Sequence, residues 1–290
     1  MKAAWKLIEV KFPHISASGC AAHGMNLLIK DITSTTESAK TIKESEKIIK
    51  FIKNHHLVKA MFDERRLAAN VLSSLCLPVP TRWYSLFNSM NNLLVSKYVL
   101  IKLADEKYDE LKDMQPKSTS AAVLTLLKSN AFWDRLAKLV KDIEFPSNII
   151  GKLESDDAPL SLVYDYFGQL YNYYENDEAI QLKVMSRLKF IFTPFMGLAF
   201  LLTPKHAADG FYFEENKLDF IAAAYDQAIK VNPEIADNVH LQMIEFTGEM
   251  ATLTQKRKDT LFKMSAKNYW NIIGREIIQH SLKSPSQSPK

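Results

Sequence analysis

The segment Glu37-Ser38-Ala39-Lys40-Thr41-Ile42-Lys43-Glu44-Ser45-Glu46-Lys47-Ile48-Ile49-Lys50-Phe51-Ile52-Lys53-Asn54 carries the plainest folding instruction in the chain. Ile42, Ile48, Ile49 and Ile52 fall on one side of a 3.6-residue spiral, and Lys40, Lys43, Lys47 and Lys50 form a stripe on the other. That is an amphipathic helix with a charged outer face. The same three- and four-residue spacing continues along most of the length, and only 8 glycines occur in 290 residues, with few alternating runs. A predominantly α-helical fold follows.

Upstream, Met1 to Phe12 reads as a helix and Ala21 to Asp31 as another, with Met25, Leu28, Ile29 and Ile32 on one side. Between them Pro13-His14-Ile15-Ser16-Ala17-Ser18-Gly19-Cys20 reads as a short strand, opened by a proline and closed by a glycine. Downstream, Pro78 and Pro80 break the chain before a long helix from about Arg82 to Lys107. Lys112 to Ser120, with Pro116, reads as a loop. Further helices are expected at Ala121–Lys141, Leu160–Glu175, Glu178–Leu202, Lys217–Val231 and Val239–Phe262. The last places Val239, Met243, Phe246, Met250 and Leu253 at alternating four- and three-residue steps, the pattern of a buried bundle face.

Composition sets broad limits. Apolar residues at 47% and charged residues at 24% exclude wholesale disorder, and the length gives a prior of about two domains. Net charge is +4, which permits a nucleic-acid surface without requiring one. Charge is nonetheless blocked: residues 37–66 hold eight Lys or Arg against five acids, and residues 154–178 hold seven acids and no Lys or Arg. Cys20 and Cys76 are too few for a disulfide framework, so a reducing compartment is expected. The longest apolar stretch, Phe190 to Leu202, is interrupted by Pro194 and Gly197 and falls short of the roughly 20 residues that cross a bilayer. A soluble intracellular chain with no membrane partner is the expectation. The Ser/Pro tail from Ser281 onward reads as disordered.

Three groups of residues could carry chemistry. Cys20 and His23 stand three apart at a strand-to-helix junction, but a zinc site needs a second pair, and Cys76, His55 and His56 do not supply that spacing. A Cys nucleophile with a His base lacks an orienting partner; a buried Cys and a helix-terminal His is the plainer reading. Thr81-Arg82-Trp83 places a cap, a guanidinium and an indole at a helix start, which suits stacking on a base beside a phosphate, although a core Trp with a surface Arg is the plainer reading from composition. The stripe Lys40, Lys43, Lys47 and Lys50 would track a phosphate backbone by releasing counterions, or simply solvate its helix. Glu154, Asp156 and Asp157 lack the spacing and glycine turn of an EF-hand. Lys256-Arg257-Lys258 is too short to argue a nuclear signal, and no P-loop, G-x-G-x-x-G, G-x-S-x-G or H-E-x-x-H occurs.

Taken in order, four segments resemble the hAT superfamily of DNA transposases. The run from Pro13 through Cys20-Ala21-Ala22-His23 to Lys30-Asp31-Ile32 is similar to the family's Cys-x-x-His segment. Thr81-Arg82-Trp83 resembles its Arg-Trp motif. Ala199-Phe200-Leu201-Leu202-Thr203-Pro204 looks like a diverged Leu-Leu-Asp-Pro stretch, and Tyr269-Trp270-Asn271-Ile272-Ile273-Gly274 resembles the entry to the C-terminal dimerisation region.

The resemblance implies an RNase H-like core interrupted by a long all-α insertion. It divides the chain into a partial core with a strand remnant over residues 1–35, the insertion over 36–262, the start of the dimerisation region over 263–280 and a disordered tail over 281–290. In the family three acidic residues hold two divalent metals for strand transfer. The two aspartates would precede Met1, and Glu276 does not sit in the pattern of the third ligand, so no catalytic residue is assigned. Residues 1–290 then require no cofactor of their own; Mg²⁺ or Mn²⁺ belongs to a complete family member. His23 and Cys20 would lie beside the active site, with Cys20 structural, and Trp83 would stack on an unpaired base with Arg82 on a nearby phosphate. The expected function is binding of transposon DNA and self-association in the nucleus, without strand cleavage. The rival is an α-helical protein-interaction scaffold from a domesticated transposase; a Cys/His enzyme or metal protein stands behind both.

Overall fold

The computed structural model describes residues 2–12, 15–79, 83–155, 158–210, 212–213, 216–261 and 263–272. The chain is predominantly helical. The order is α1 (Lys2–Lys11), α2 (Ala21–Ile32), α3 (Thr36–Asn54), α4 (His56–Ala68), α5 (Trp83–Val95), α6 (Lys97–Glu106), α7 (Tyr108–Lys112), α8 (Lys117–Leu127) and α9 (Asn130–Leu153). There follow α10 (Ser161–Tyr173), α11 (Glu178–Ile191), α12 (Pro194–Leu201), α13 (Pro204–Asp209), α14 (Asn216–Val231), a 3₁₀ turn (Pro233–Ile235), α15 (Ala236–Ala251), α16 (Gln255–Leu261) and a last helical segment, α17, over residues 266–272.

No strand occurs among the described residues, and Ile15–Cys20 runs irregularly between α1 and α2; Pro13 and His14 lie outside the description. Local partners take the place of a ladder here. The Ala17 amide donates to the Glu9 carboxylate at 3.0 Å, and the Ile15 amide to the Phe12 carbonyl at 2.9 Å. The helix expected from Arg82 to Lys107 is divided at Ser96, and the one expected over Ala121–Lys141 is divided at Lys128–Ser129, where the Ser129 hydroxyl caps α9 by accepting from the Phe132 amide. Pro194 divides Glu178–Leu202 by starting α12 at its first residue. The expected Lys112–Ser120 loop is shorter, because α8 begins at Lys117, directly after Pro116. No helix among the described residues is long and apolar enough to cross a membrane.

The chain forms two compact units, each discontinuous in sequence. One comprises residues 20–156 and 173–187, and α9 is its centre, packing against α2, α3 and α5. Met25, Leu28 and Ile29 of α2, Ile48 and Ile49 of α3, and Phe132, Trp133 and Leu136 of α9 are all fully buried. Trp133 can sit there because its indole N–H donates to the Leu127 carbonyl at 2.9 Å. α11 is tied to the end of α2 by a bidentate pair, Arg187 Nε to Asp31 Oδ2 at 2.5 Å and Nη2 to Oδ1 at 2.8 Å, with Lys183 donating to the Asp31 carbonyl at 2.9 Å.

The other unit comprises residues 1–19, 157–172 and 188–290. Its core is aromatic. Tyr164 receives Phe200 at 4.7 Å and Phe220 at 5.1 Å between ring centroids, both edge-on, with Leu201, Ile221 and Met243 around them. Gly197 is where α12 meets Phe220: a Cβ there would stand 2.2 Å from the ring. Gly197→Ala must displace a fully buried side chain, so a loss of about 1–3 kcal/mol is expected in urea unfolding followed by circular dichroism.

Candidate nucleic-acid interface

The lysine stripe is exposed along its whole length. α3 starts at the cap Thr35, whose hydroxyl accepts from the Ser38 amide at 3.2 Å, and carries Glu37 in its first turn, where the helix dipole favours an acid. Its inner side buries Thr41, Ser45, Ile48, Ile49, Phe51 and Ile52. That burial fixes the rotation of the helix and turns Lys40, Lys43, Lys47 and Lys50 outward.

Three of the four share a groove of about 480 Å³. Lys43, Lys47 and Lys50 line it from α3, with Phe51, Asn54 and His55 beyond them. Pro116 and Thr119, at the start of α8, form the opposite wall. His55 fastens the two walls: Nδ1 lies 2.7 Å from the Phe51 carbonyl oxygen and Nε2 lies 2.9 Å from that of Gln115. An imidazolium donates to both carbonyls at once, whereas either neutral tautomer donates to one.

The charges are not all equally available. Lys50 donates to Glu46 at 2.9 Å and Lys40 lies 3.9 Å from Glu44, whose second oxygen accepts from Arg135 at 2.7 Å. Lys43 and Lys47 have no carboxylate partner among the described residues. They are therefore the two cations most ready to exchange counterions for a polyanion. Glu46 also lines the groove, so its net charge is positive by the lysine excess rather than by absence of acids.

The remaining sequence candidates are not gathered here. Trp83 is the first residue of α5 and is partly buried, neither a core indole nor an open platform; Arg82 lies outside the described residues. Cys20 caps α2 with a free, exposed thiol that makes no side-chain capping bond, and His23 points outward from the first turn of the same helix. The expected buried Cys is thus exposed, because the apolar side of α2 is set by Ala22, Met25, Leu28, Ile29 and Ile32. Cys76 is also a free thiol, and its Sγ accepts from Asn92. No group of three or more His, Cys, Asp or Glu side chains suited to a metal ion occurs among the described residues.

Sequence reasoning missed a second polar cluster. In the aromatic unit, buried Asp165 accepts from Tyr212 Oη at 2.7 Å and from Gln169 Nε2 at 2.9 Å. His206 Nδ1 lies 3.9 Å from the same carboxylate, and its ring stacks on Phe200 at 4.6 Å. Burial holds the His206 pKa below the ordinary 6.5, against the pull of Asp165 and with a smaller push from Lys205. The unfolded chain therefore takes up a proton near pH 6.5 that the folded chain refuses. Stability of this unit is expected to be full above that pH and to fall as pH drops through it toward the lowered folded value. Urea midpoints between about pH 8 and about pH 5 check this, and His206→Gln should flatten the slope.

No known protein family, curated protein or solved structure matches the chain.

Proposed function

We propose that this chain is a helical nucleic-acid-binding protein related to hAT-superfamily transposases, and that the α3 groove carries its contact with DNA. The observation that supports it is the pair Lys43 and Lys47, exposed one turn apart and without acidic partners among the described residues. Phosphates spaced along a backbone suit such a stripe, because each lysine that engages one releases a condensed counterion. The kinship rests on the order of the Cys20–His23, Arg82–Trp83, Ala199–Pro204 and Tyr269–Gly274 segments. In this reading Ile15–Cys20 is the remnant of a strand from an RNase H-like core, the protein works in the nucleus, and it associates with a second copy. No cleavage is assigned, since no acidic residue here matches the family's metal ligands.

Fluorescence anisotropy of labelled duplex DNA, titrated at several salt concentrations, tests the binding claim. Log affinity should fall linearly with log salt with a slope of about −2 to −4, the value for two to four phosphates engaged. Binding that ignores salt, or none at low salt, would favour the protein scaffold instead. A stacking role for Trp83 belongs to the same proposal: Trp83→Ala should weaken binding of single-stranded DNA by about 1–3 kcal/mol. Unchanged affinity would leave Trp83 with packing alone.

A further inference from the structure

The buried polar cluster of the aromatic unit lines a cavity of about 300 Å³. Asp165 of α10, Phe200 of α12 and His206 of α13 form its buried part, and exposed Asn172, Asp209 and Gly210 form its rim. Tyr212 completes the lining. Its ring lies against α10 because residue 168 is glycine; a Cβ there would stand 2.1 Å from the ring.

Hydrogen-bonding capacity is left over in this cavity, and most of it is acceptor. Asp165 accepts one bond on each oxygen, from Tyr212 and from Gln169, and a carboxylate oxygen has two lone pairs. His206 is 8% exposed, and neither ring nitrogen has a hydrogen-bond partner among the described residues. Its contact with Asp165 Oδ1, at 3.9 Å from Nδ1, is too long to be one. A polar side chain buried this far without a partner costs free energy that a ligand can recover. Burial also lowers the His206 pKa, so near neutral pH the ring is uncharged and keeps one nitrogen as an acceptor. Asp209 adds a second carboxylate, and no Lys or Arg lines the cavity among the described residues.

The complement of such a lining is a small cation rich in N–H donors. One nitrogen about 2.8 Å from each acceptor spans Asp165 Oδ1 and His206 Nδ1, the length of a charge-assisted bond. The rings of Phe200 and Tyr212 suit the alkyl chain behind it. A hydroxyl of the same size would leave both carboxylates without a counter-charge. We propose that this cavity binds a primary alkylammonium group, with Asp165 and His206 accepting its N–H donors and Asp209 supplying negative charge at the rim.

Magnetic resonance of the full chain with isotope-labelled histidine rings tests this. The seven histidines give seven signals, and His206→Gln identifies the one from this cavity by its disappearance. Titration with n-butylammonium chloride at constant ionic strength should move that signal saturably, and n-butanol, the same chain without the charge, should not move it. Asp209→Asn should weaken the interaction by at least about tenfold, whereas Asp219→Asn, an equal change of charge on α14, should leave it nearly unaltered. Both positions are exposed, so neither variant disturbs packing. Nα-acetyl-lysine N-methylamide distinguishes two sources of the ammonium: binding at least as tight as that of n-butylammonium assigns the cavity to a lysine side chain, and weaker binding assigns it to a free amine. A signal that moves equally with n-butanol, moves only with magnesium chloride, or does not move would overturn the proposal. Equal effects of Asp209→Asn and Asp219→Asn would overturn it too.

Discussion

Reversing both Lys43 and Lys47 to Glu is expected to weaken duplex binding by about 100-fold near physiological salt and to make the salt slope shallower by about 2. The size follows from where the two ammonium groups sit. Both are exposed, so the substitution breaks no packing, and neither has a carboxylate partner among the described residues that would be left uncompensated. Each reversal removes one phosphate contact and places a repulsive charge in its position. Lys40→Glu with Lys53→Glu makes the same change in net charge on the same helix outside the groove lining, and should cost less. Equal losses from the two pairs would show that overall charge, and not the groove, draws DNA. Thermal unfolding of both variants should stay close to that of the parent, because solvated lysines contribute little to stability.

Trp133→Ala carries the largest expected loss of stability, about 3–5 kcal/mol in the unit built on α9. The indole is 1% exposed, touches Phe132 at 5.1 Å between centroids, and sits beneath the Lys97 ammonium at 5.8 Å. Truncation leaves a cavity where α9 meets its neighbours and strips the Leu127 carbonyl of its donor, adding an unsatisfied buried acceptor. Against a typical total of 5–15 kcal/mol this is a large fraction. Trp133→Phe separates the two parts, since it keeps most of the volume and loses the N–H. It should recover more than half of the loss, as read from urea midpoints by circular dichroism, with hydrogen exchange over α2 and α9 reporting on this unit alone. A loss below about 1 kcal/mol for Trp133→Ala would contradict the placement of α9 at the centre of the core.

How much of this was legible in the sequence depends on whether the signal was local. α3 and α14 appear within one or two residues of where periodicity puts them, because each carries its own apolar face. The breaks at Ser96 and Lys128–Ser129 were not legible: helix-compatible residues run through both, and packing with distant helices decides where the axis changes. α4 went unread because its buried face consists of only Val58 and Phe62, too narrow a stripe to stand out in the spacing. The Pro13–Cys20 segment shows the opposite failure. Its composition suits a strand, but a strand is a property of a pair, and Ile15–Cys20 finds Glu9 and Phe12 as hydrogen-bond partners.

The lysine face was written in the spacing of four residues; the groove was not. Its second wall comes from Pro116 and Thr119, more than sixty residues after Lys50, and the His55 link to Gln115 has no sequence signature. The discontinuous units were invisible for a similar reason. A linear pass sees residues 157–172 and 188–272 as neighbours of 173–187, whereas contacts assign that short piece to the other body through Asp31, Lys183 and Arg187.

Lysine footprinting by acetylation and mass spectrometry tests the central claim most directly, because it reads every lysine of the unaltered chain in one experiment. With saturating duplex DNA at low salt, Lys43, Lys47 and Lys50 should each lose several-fold in reactivity, and added salt should restore it. Lysines away from the groove, such as Lys59 and Lys102, should label at the same rate with and without DNA. Protection confined to other lysines, with Lys43 and Lys47 labelling freely while DNA is bound, would contradict the account.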